Sequence, residues 1–169
     1  MLEKPSEVEG NKGALLWLWL SLIVILLDQM TKSLASTFLL LGSSVPIFPS
    51  FNFTLLHNTG AAFSLLAQAG EWTRWFLTLL ALVVSSIIVL WLHRLKVSQR
   101  WLACALALIL GGAVGNVIDR LIYGYVIDFI DIYYQIWHWP AFNIADSAIS
   151  VGAVMLAIDA LFETARENK

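Results

Sequence analysis

The chain of 169 residues is 59% hydrophobic and only 13% charged, with a formal net charge of −2 at pH 7. Because soluble domains carry about 25% charged residues, this composition excludes an ordinary water-soluble protein, and the length suits a single domain. The near-neutral charge, without a cluster of basic residues, gives no indication of nucleic-acid binding.

Four segments are long and apolar enough to cross a membrane as helices. A hydrocarbon core about 30 Å thick requires about 20 apolar residues. The predicted spans are residues 13–30, 72–92, 101–118 and 141–162. The first span also has the length of a signal-peptide core, but the leader before it is rich in glutamate, which is atypical of signal peptides. We therefore predict that the first span is a retained helix.

The stretch between the first two spans has no charged residue from Ser33 to Gly70, and glycines and prolines interrupt it. It is a poor candidate for a fifth helix for that reason. Within it, apolar and polar residues alternate in FNFTL, residues 51–55, and this period predicts a half-buried strand. We expect this strand to lie on the membrane surface.

The basic residues indicate the orientation, since Lys and Arg are enriched on the cytoplasmic side of membrane proteins. Seven of the ten fall on one side of the four-span map: Lys4, Lys12, Arg94, Lys96, Arg100, Arg166 and Lys169. Three fall on the other side: Lys32, Arg74 and Arg120. Tryptophans mark both ends of the spans, as in an aromatic belt. This pattern predicts that both termini are cytoplasmic.

The four-span map brings polar residues from four separate regions to the outer face of the membrane. They are Asp28, Asn58, Asn116, Asp119, Arg120, Asp128, Asp131, Asn143 and Asp146. An ionisable side chain near lipid is costly, so it is normally either paired or functional. Asp159 is the exception, because it lies 13 residues after Asp146, about 20 Å further along a helix, near the inner face.

Several of these residues also have a purely structural interpretation. Asp28 and Lys32 are four residues apart and could form an ion pair on one helix. Asp119 and Arg120 could solvate the end of the third span, and Asn143 could cap the fourth.

Other positions indicate packing or solvation. Small residues at Gly111, Gly112 and Gly115 predict close contact between helices. Asp131 is expected to be solvated in a loop beside two tyrosines. The three histidines form no metal-binding motif with each other or with cysteine, so we expect no metal site.

Five motifs occur in the order, spacing and topological positions of bacterial lipoprotein signal peptidase, also called signal peptidase II. They are DQMTK (28–32), NTGAAF (58–63), GGAVGNVIDR (111–120), VIDF (126–129) and FNIADS (142–147). The resemblance covers nearly the whole chain. It implies an α-helical integral protein of the bacterial inner membrane, with four transmembrane helices and a small β-rich periplasmic platform. Residues 35–70 resemble most of that platform.

The same resemblance implies an aspartyl endopeptidase that cuts the signal peptide from prolipoproteins on the N-terminal side of a diacylglyceryl-modified cysteine. Asp128 and Asp146 match the catalytic pair. The positions that match polar groups around the substrate, and around globomycin-type inhibitors, are Asn58, Asn116, Arg120 and Asn143. The positions assigned a supporting role are Asp28, Lys32, Gly60 and Asp119. Membrane lipid is a further implied partner.

Two carboxyl groups suffice for the hydrolysis of an amide. Neighbouring carboxylates do not both ionise easily, so they share a proton. The ionised group activates water, and the protonated group donates to the carbonyl oxygen. This chemistry requires no cofactor, and which of the two aspartates carries the proton stays open.

One other function and one other catalytic mechanism compete with the aspartyl peptidase. A small membrane transporter or proton channel also uses intramembrane carboxylates, but here the acidic residues gather at one face instead of tracing a path across. A Ser/Lys catalytic pair is disfavoured, since there is no GxSxG elbow and Lys32 is the only lysine predicted on the outer side. The transporter remains the alternative to the peptidase.

Overall fold

The computed structural model describes residues 14–60 and 71–167. Its four long helices are α1 (Leu18–Phe38), α2 (Glu71–Arg94), α3 (Arg100–Ile122) and α4 (Ile144–Glu167). Each of the four is long and apolar enough to cross a membrane, which confirms the predicted number of spans for this part of the chain.

Helix α1 continues past residue 30, the predicted boundary of the first span, and ends at Phe38. The two threonines of this extension do not interrupt the helix, because their side chains find backbone partners. The hydroxyl groups of Thr31 and Thr37 donate to backbone oxygens one turn earlier, at Leu27 and Ser33, over 2.8 Å each. The hydroxyl groups of these two threonines are therefore satisfied within the helix itself.

A four-stranded antiparallel sheet has the order β1-β2-β3-β4. Its strands are β1 (Ser44–Phe48), β2 (Phe51–Asn58), β3 (Val126–Tyr134) and β4 (Trp137–His138). The strand predicted at residues 51–55 lies within β2 and is confirmed. The sheet also draws two strands from the distant connection between α3 and α4, so residues 35–70 supply only part of it.

The sheet lies at one end of the helix bundle, here called the sheet end. Helix α1 ends just before β1, α3 ends just before β3, and α4 begins just after β4. Polar residues near these three helix ends therefore meet at the same place as those on the strands.

Glycines on α3 allow the helices to approach closely. A Cβ atom added at Gly111 would lie 2.7 Å from Cβ of Val24 on α1, and one added at Gly112 would collide with the backbone oxygen of Ala145 on α4. In lipid, where apolar surfaces gain little by association, such small residues bring backbones into van der Waals contact. The predicted glycine packing is confirmed, and it holds α3 between α1 and α4.

An irregularity in β3 decides which of its side chains lie on the same face of the sheet. The backbone N–H groups of Phe129 and Ile130 both donate to the backbone oxygen of Phe142, at 3.1 and 2.8 Å. Two residues opposite one partner form a β-bulge, and both side chains pack with the apolar cluster between the sheet and α1. Asp128 and Asp131, three residues apart, consequently share the other face of the sheet.

Candidate active site

A buried charge cluster lies where α1 and α3 reach the sheet, and it consists of Asp28, Gln29, Lys32 and Asp119. Lys32 Nζ lies 2.8 Å from Asp28 Oδ2 and 2.9 Å from Asp119 Oδ2, and none of these three side chains is more than 2% exposed. Gln29 Nε2 donates to Asp119 Oδ1 at 2.9 Å. The predicted Asp28–Lys32 pair is confirmed, and the ammonium group serves two carboxylates at once.

Asp119 does not solvate the end of the third span, because it is fully buried, and it forms no ion pair with its neighbour Arg120. Consecutive residues on a helix point about 100° apart, so the Asp119 carboxylate faces α1 while the Arg120 guanidinium faces away. Arg120 donates instead to the backbone oxygens of Asn116 and Gly60, both at 3.4 Å. Gly60, predicted to be supporting, thus contributes its backbone oxygen.

Lys32 also fixes the orientation of Asn116. Its Nζ donates to Asn116 Oδ1 at 2.9 Å, and because an ammonium group can only donate, the amide nitrogen of Asn116 must point the other way. That nitrogen donates to Asp146 Oδ1 at 2.8 Å. The charge cluster is therefore connected to Asp146 through a single amide.

Asp128 receives two amide donors in a site that is almost closed to solvent. Asn58 Nδ2 donates to its Oδ2 at 2.9 Å, and Asn143 Nδ2 donates to its Oδ1 at 2.8 Å. Burial, and next the negative charge of Asp146, raise the pKa of Asp128 to about 7, although the two amides partly oppose the shift. The carboxyl group therefore holds a proton readily near neutral pH.

Asn143 connects the two carboxyl groups. Its Oδ1 accepts from the backbone N–H of Asp146 at 2.9 Å, while its own backbone N–H donates to Asp146 Oδ2 at 3.3 Å. This reciprocal arrangement resembles a capping box at the start of α4, and it bears out the predicted capping by Asn143. The same side chain donates to Asp128, so one amide positions both aspartates.

Neither aspartate of this pair has a cation as its direct partner. Within residues 14–60 and 71–167, the ion pairs shorter than 4 Å involve Asp28, Asp119 and Asp131. Asp128 and Asp146 accept hydrogen bonds from amides and backbone N–H groups. The two carboxyl groups thus differ in kind from those of the charge cluster.

A cavity of about 400 Å³, here called the active-site cavity, opens beside Asp146. Asn58, Asn116 and Arg120 line one side, and Ser150 and Val151 of α4 line another. Of the nine polar residues predicted to converge, four line this cavity: Asn58, Asn116, Arg120 and Asp146. Asp159 lies apart, beside Arg100 and Trp101 at the opposite end of α4.

Asp131 is not solvated, contrary to the prediction. It lies in β3, is 5% exposed, and accepts from Asn52 Nδ2 at 3.0 Å and Thr54 Oγ1 at 3.1 Å, with His138 Nδ1 at 2.8 Å. Burial acts to raise its pKa, but the hydrogen bonds from His138, Asn52 and Thr54 outweigh burial and hold the pKa of Asp131 below its ordinary value. The prediction failed because residue 131 continues a strand instead of starting a loop.

Gln29 was not predicted to take part. It lies inside the DQMTK motif, between the two charged residues, and its amide nitrogen contacts Asp119 Oδ1 and, at 3.2 Å, the backbone oxygen of Gly115. The only available signal was its position in the motif.

Residues 61–63 of the NTGAAF motif lie outside the described residues. In the part of the chain that is described, no group of three His, Cys, Asp or Glu side chains is arranged to hold a metal ion.

The family model for "Signal peptidase (SPase) II" matches residues 20–162, which is most of the chain. The chain belongs to the signal peptidase II family. A lipoprotein signal peptidase of Pseudomonas putida is 52% identical over 157 residues, covering 92% of each protein. One from Teredinibacter turnerae is 55% identical over 153 residues, covering 90% of each.

Solved structures are similar as well. A bacterial membrane enzyme determined by the in meso method at 2.3 Å resolution superposes with a TM-score of 0.81 and is 28% identical, covering 92% of this chain and 94% of the other. A second, at 1.9 Å resolution, gives a TM-score of 0.74 at 29% identity. The signal peptidase II fold of four helices and a small sheet is therefore shared with membrane enzymes.

Proposed function

We propose that this member of the signal peptidase II family is an aspartic endopeptidase with Asp128 and Asp146 as its catalytic pair. It removes the signal peptide from prolipoproteins on the N-terminal side of a diacylglyceryl-modified cysteine. The observation that supports this chemistry is the environment of Asp128, whose pKa is raised to about 7 by burial and by Asp146. A carboxyl group that is half protonated near neutral pH is suited to general acid–base catalysis.

In the proposed reaction, Asp128 carries the proton and Asp146 is ionised. Asp146 takes a proton from water as the water oxygen bonds to the scissile carbonyl carbon, and Asp128 gives its proton to the carbonyl oxygen. The tetrahedral intermediate then collapses. The C–N bond breaks, the amine of the cysteine leaves with the proton held by Asp146, and one hydroxyl group of the intermediate returns its proton to Asp128. Asn116 and Asn143 keep the carboxyl groups oriented through their hydrogen bonds.

Arg120 is the proposed contact for the substrate backbone. It lines the active-site cavity, and its two hydrogen bonds to backbone oxygens are long, at 3.4 Å, so they are weak. A guanidinium group held this loosely can exchange these partners for a substrate carbonyl. Globomycin-type inhibitors would occupy the same cavity and meet Asn58, Asn116, Arg120 and Asn143.

The proposed location is the bacterial inner membrane, with both termini cytoplasmic and the sheet end at the periplasmic face. The support is the distribution of Lys and Arg, seven against three, over the ends of the four spans. Reporter fusions test it: a fusion after Lys96 is expected to be cytoplasmic, and one after Tyr134 periplasmic. The transporter alternative is not supported, because the relatives are named as peptidases.

The decisive experiment incubates the purified protein in detergent with a diacylglyceryl-modified prolipoprotein and measures the product masses. We expect one cut, immediately before the modified cysteine, and a much slower cut in the unmodified precursor. A chelator is expected to leave the rate unchanged. Equal rates on both precursors would contradict the lipid requirement, and inhibition by the chelator that added zinc reverses would contradict the aspartic mechanism.

A further inference from the structure

A second cavity lies on the same face of the sheet as Asp128 and adjoins the active-site cavity. It has a volume of about 530 Å³, and Asn58, Trp139, Pro140 and Ala141 line both cavities. Here it is called the sheet groove. Its other polar lining includes Ser44, Thr54, Asp131 and His138.

The two cavities differ in where they lead from the reacting carboxyl groups. The active-site cavity follows Ser147, Ser150 and Val151 along α4, which is a membrane-spanning helix. The sheet groove follows the strands away from the helices, from Asn58 toward His138. A peptide bond held at Asp146 would thus have one flank beside a span and the other flank across the sheet.

The floor of the sheet groove is a fixed polar network. Asp131 is 5% exposed and holds His138 Nδ1 at 2.8 Å and Thr54 Oγ1 at 3.1 Å. Thr54 Oγ1 in turn lies 2.7 Å from Ser44 Oγ, and the His138 ring stacks on Tyr133 with 5.2 Å between centroids. The His138 side chain remains 52% exposed, so its second ring nitrogen can reach a ligand. These contacts join β1, β2, β3 and β4 into one polar surface.

We propose that the sheet groove binds the residues of the mature chain that follow the modified cysteine, as an extended polar peptide. This inference rests on the proposed function. The signal peptide is apolar and remains beside the spans, whereas the mature chain continues into water, so the polar groove fits the mature side. From Asp128 to Asp131 along β3 is about 10 Å at 3.3 Å per residue, which accommodates about three residues.

The test compares two diacylglyceryl-modified substrates with the same signal peptide. One continues for four residues after the cysteine, and the other ends at the cysteine as an amide. The wild-type protein is expected to cleave the longer substrate with about tenfold higher kcat/KM, the effect of one or two net hydrogen bonds. The ratio of kcat/KM for the longer substrate to kcat/KM for the shorter one, here called the length ratio, measures the contribution of the groove.

Two substitutions remove polar groups of the groove and keep the rest. His138→Phe keeps a ring against Tyr133, and Ser44→Ala removes one hydroxyl at the strand edge. We expect the length ratio to fall toward one when the two are combined. Ile136→Ser is the matched control, because Ile136 lies on the same hairpin, is 98% exposed and does not line the groove; its ratio is expected to stay at the wild-type value.

The outcomes separate this inference from the proposed function. Equal wild-type rates on the two substrates, or a length ratio that survives in the combined variant, would contradict the groove while leaving the peptidase intact. Failure of the wild-type protein to cut either substrate would contradict the proposed function and the groove with it. A reduced ratio in the Ile136→Ser control would also overturn the assignment to the groove.

Discussion

Two groups of carboxylates lie side by side at the sheet end, and they differ in what neutralises them. Asp28 and Asp119 contact the ammonium group of Lys32, whereas Asp128 and Asp146 contact amides. The positive charge of Lys32 lies against the first two carboxyl groups and offsets part of the cost of burying them. An amide carries no net charge, so it orients a carboxyl group without neutralising it. This difference separates residues that support the site from residues proposed to carry out its chemistry.

The two groups are nevertheless joined. Asn116 accepts from Lys32 and donates to Asp146, and Asp28 Oδ1 accepts the backbone N–H of Ala145, at the start of α4. The charge cluster therefore fixes the position of the helix that carries Asp146. Stability and catalysis can be separated by substituting one group at a time.

The largest expected effect is the loss of cleavage when either carboxyl group that contacts an amide, Asp128 or Asp146, is replaced. Asp128→Asn and Asp146→Asn should each reduce cleavage by at least about 10²–10⁴-fold, because an amide cannot take or give the required proton. Both variants should insert and fold, since Asn nearly matches Asp in shape. Product formation is measured by mass, with Asp159→Asn as the control at the far end of α4. Substantial turnover by a properly inserted variant at either position would refute the mechanism.

The next largest expected effect is a loss of stability when Lys32, the cation of the charge cluster, is replaced. Lys32→Met keeps the length of the side chain but leaves two buried carboxylates without their cation, which typically costs about 3–5 kcal/mol. Thermal unfolding in detergent should show a large loss of stability, and adding Asp28→Asn should recover part of it. Lys96→Met, at an exposed loop position, is the control. An unchanged unfolding temperature for Lys32→Met would show that the cluster is not structural.

A smaller effect is expected at Asp131, which lies on the same face as Asp128 but is fully hydrogen-bonded. Asp131→Asn places an amide against donors and should destabilise the protein by about 1–3 kcal/mol at pH 7, while cleavage falls far less than in the Asp128 variant. Because the pKa of Asp131 is lowered, its stabilising effect is present above the ordinary value of 3.8 and is lost as the pH falls through the lower folded value. The difference in unfolding temperature should therefore narrow in acid, and a constant difference would contradict this account.

The pH dependence gives the smallest effect and sharpens the assignment of the proton. Since the pKa of Asp128 is raised to about 7, its acid form predominates below that pH and is lost above it. The rate should fall by up to about tenfold per unit above pH 7 and also at low pH, where both groups are protonated, giving a bell whose limits belong to the pair. Infrared titration should show a protonated carboxyl band that disappears near pH 7 and is missing in Asp128→Asn. A band that persists in that variant would assign the proton elsewhere.

Much of the site was predictable because it depends on topology. Once four spans are counted, residues such as Asn58, Asn116 and Asp146 must reach the same membrane face, whatever the details of packing. The burial of Asp131 and the ion-pair partner of Asp119 were not predictable in this way. Asp131 is buried because β3 continues through residue 131 and the bulge at residues 129 and 130 sets the face that its side chain shares. The partner of Asp119 depends on the angle between consecutive side chains on α3.

The sequence by itself determined that this protein lies in a lipid bilayer and that it crosses the bilayer as four helices. Runs of about 20 apolar residues suit a bilayer, where backbone N–H and C=O groups must be hydrogen-bonded within a helix. The charge-free segment, with its glycines, prolines and alternating strand, was a poor candidate for a fifth helix. Only the tertiary structure decided which carboxylates are paired. Lys32 reaches Asp119 on another helix because glycines bring α3 against α1, and Asp128 meets Asn143 because a bulge sets the face of β3. Contacts between residues so distant in sequence follow from the packing of backbones, which no local pattern of residues specifies.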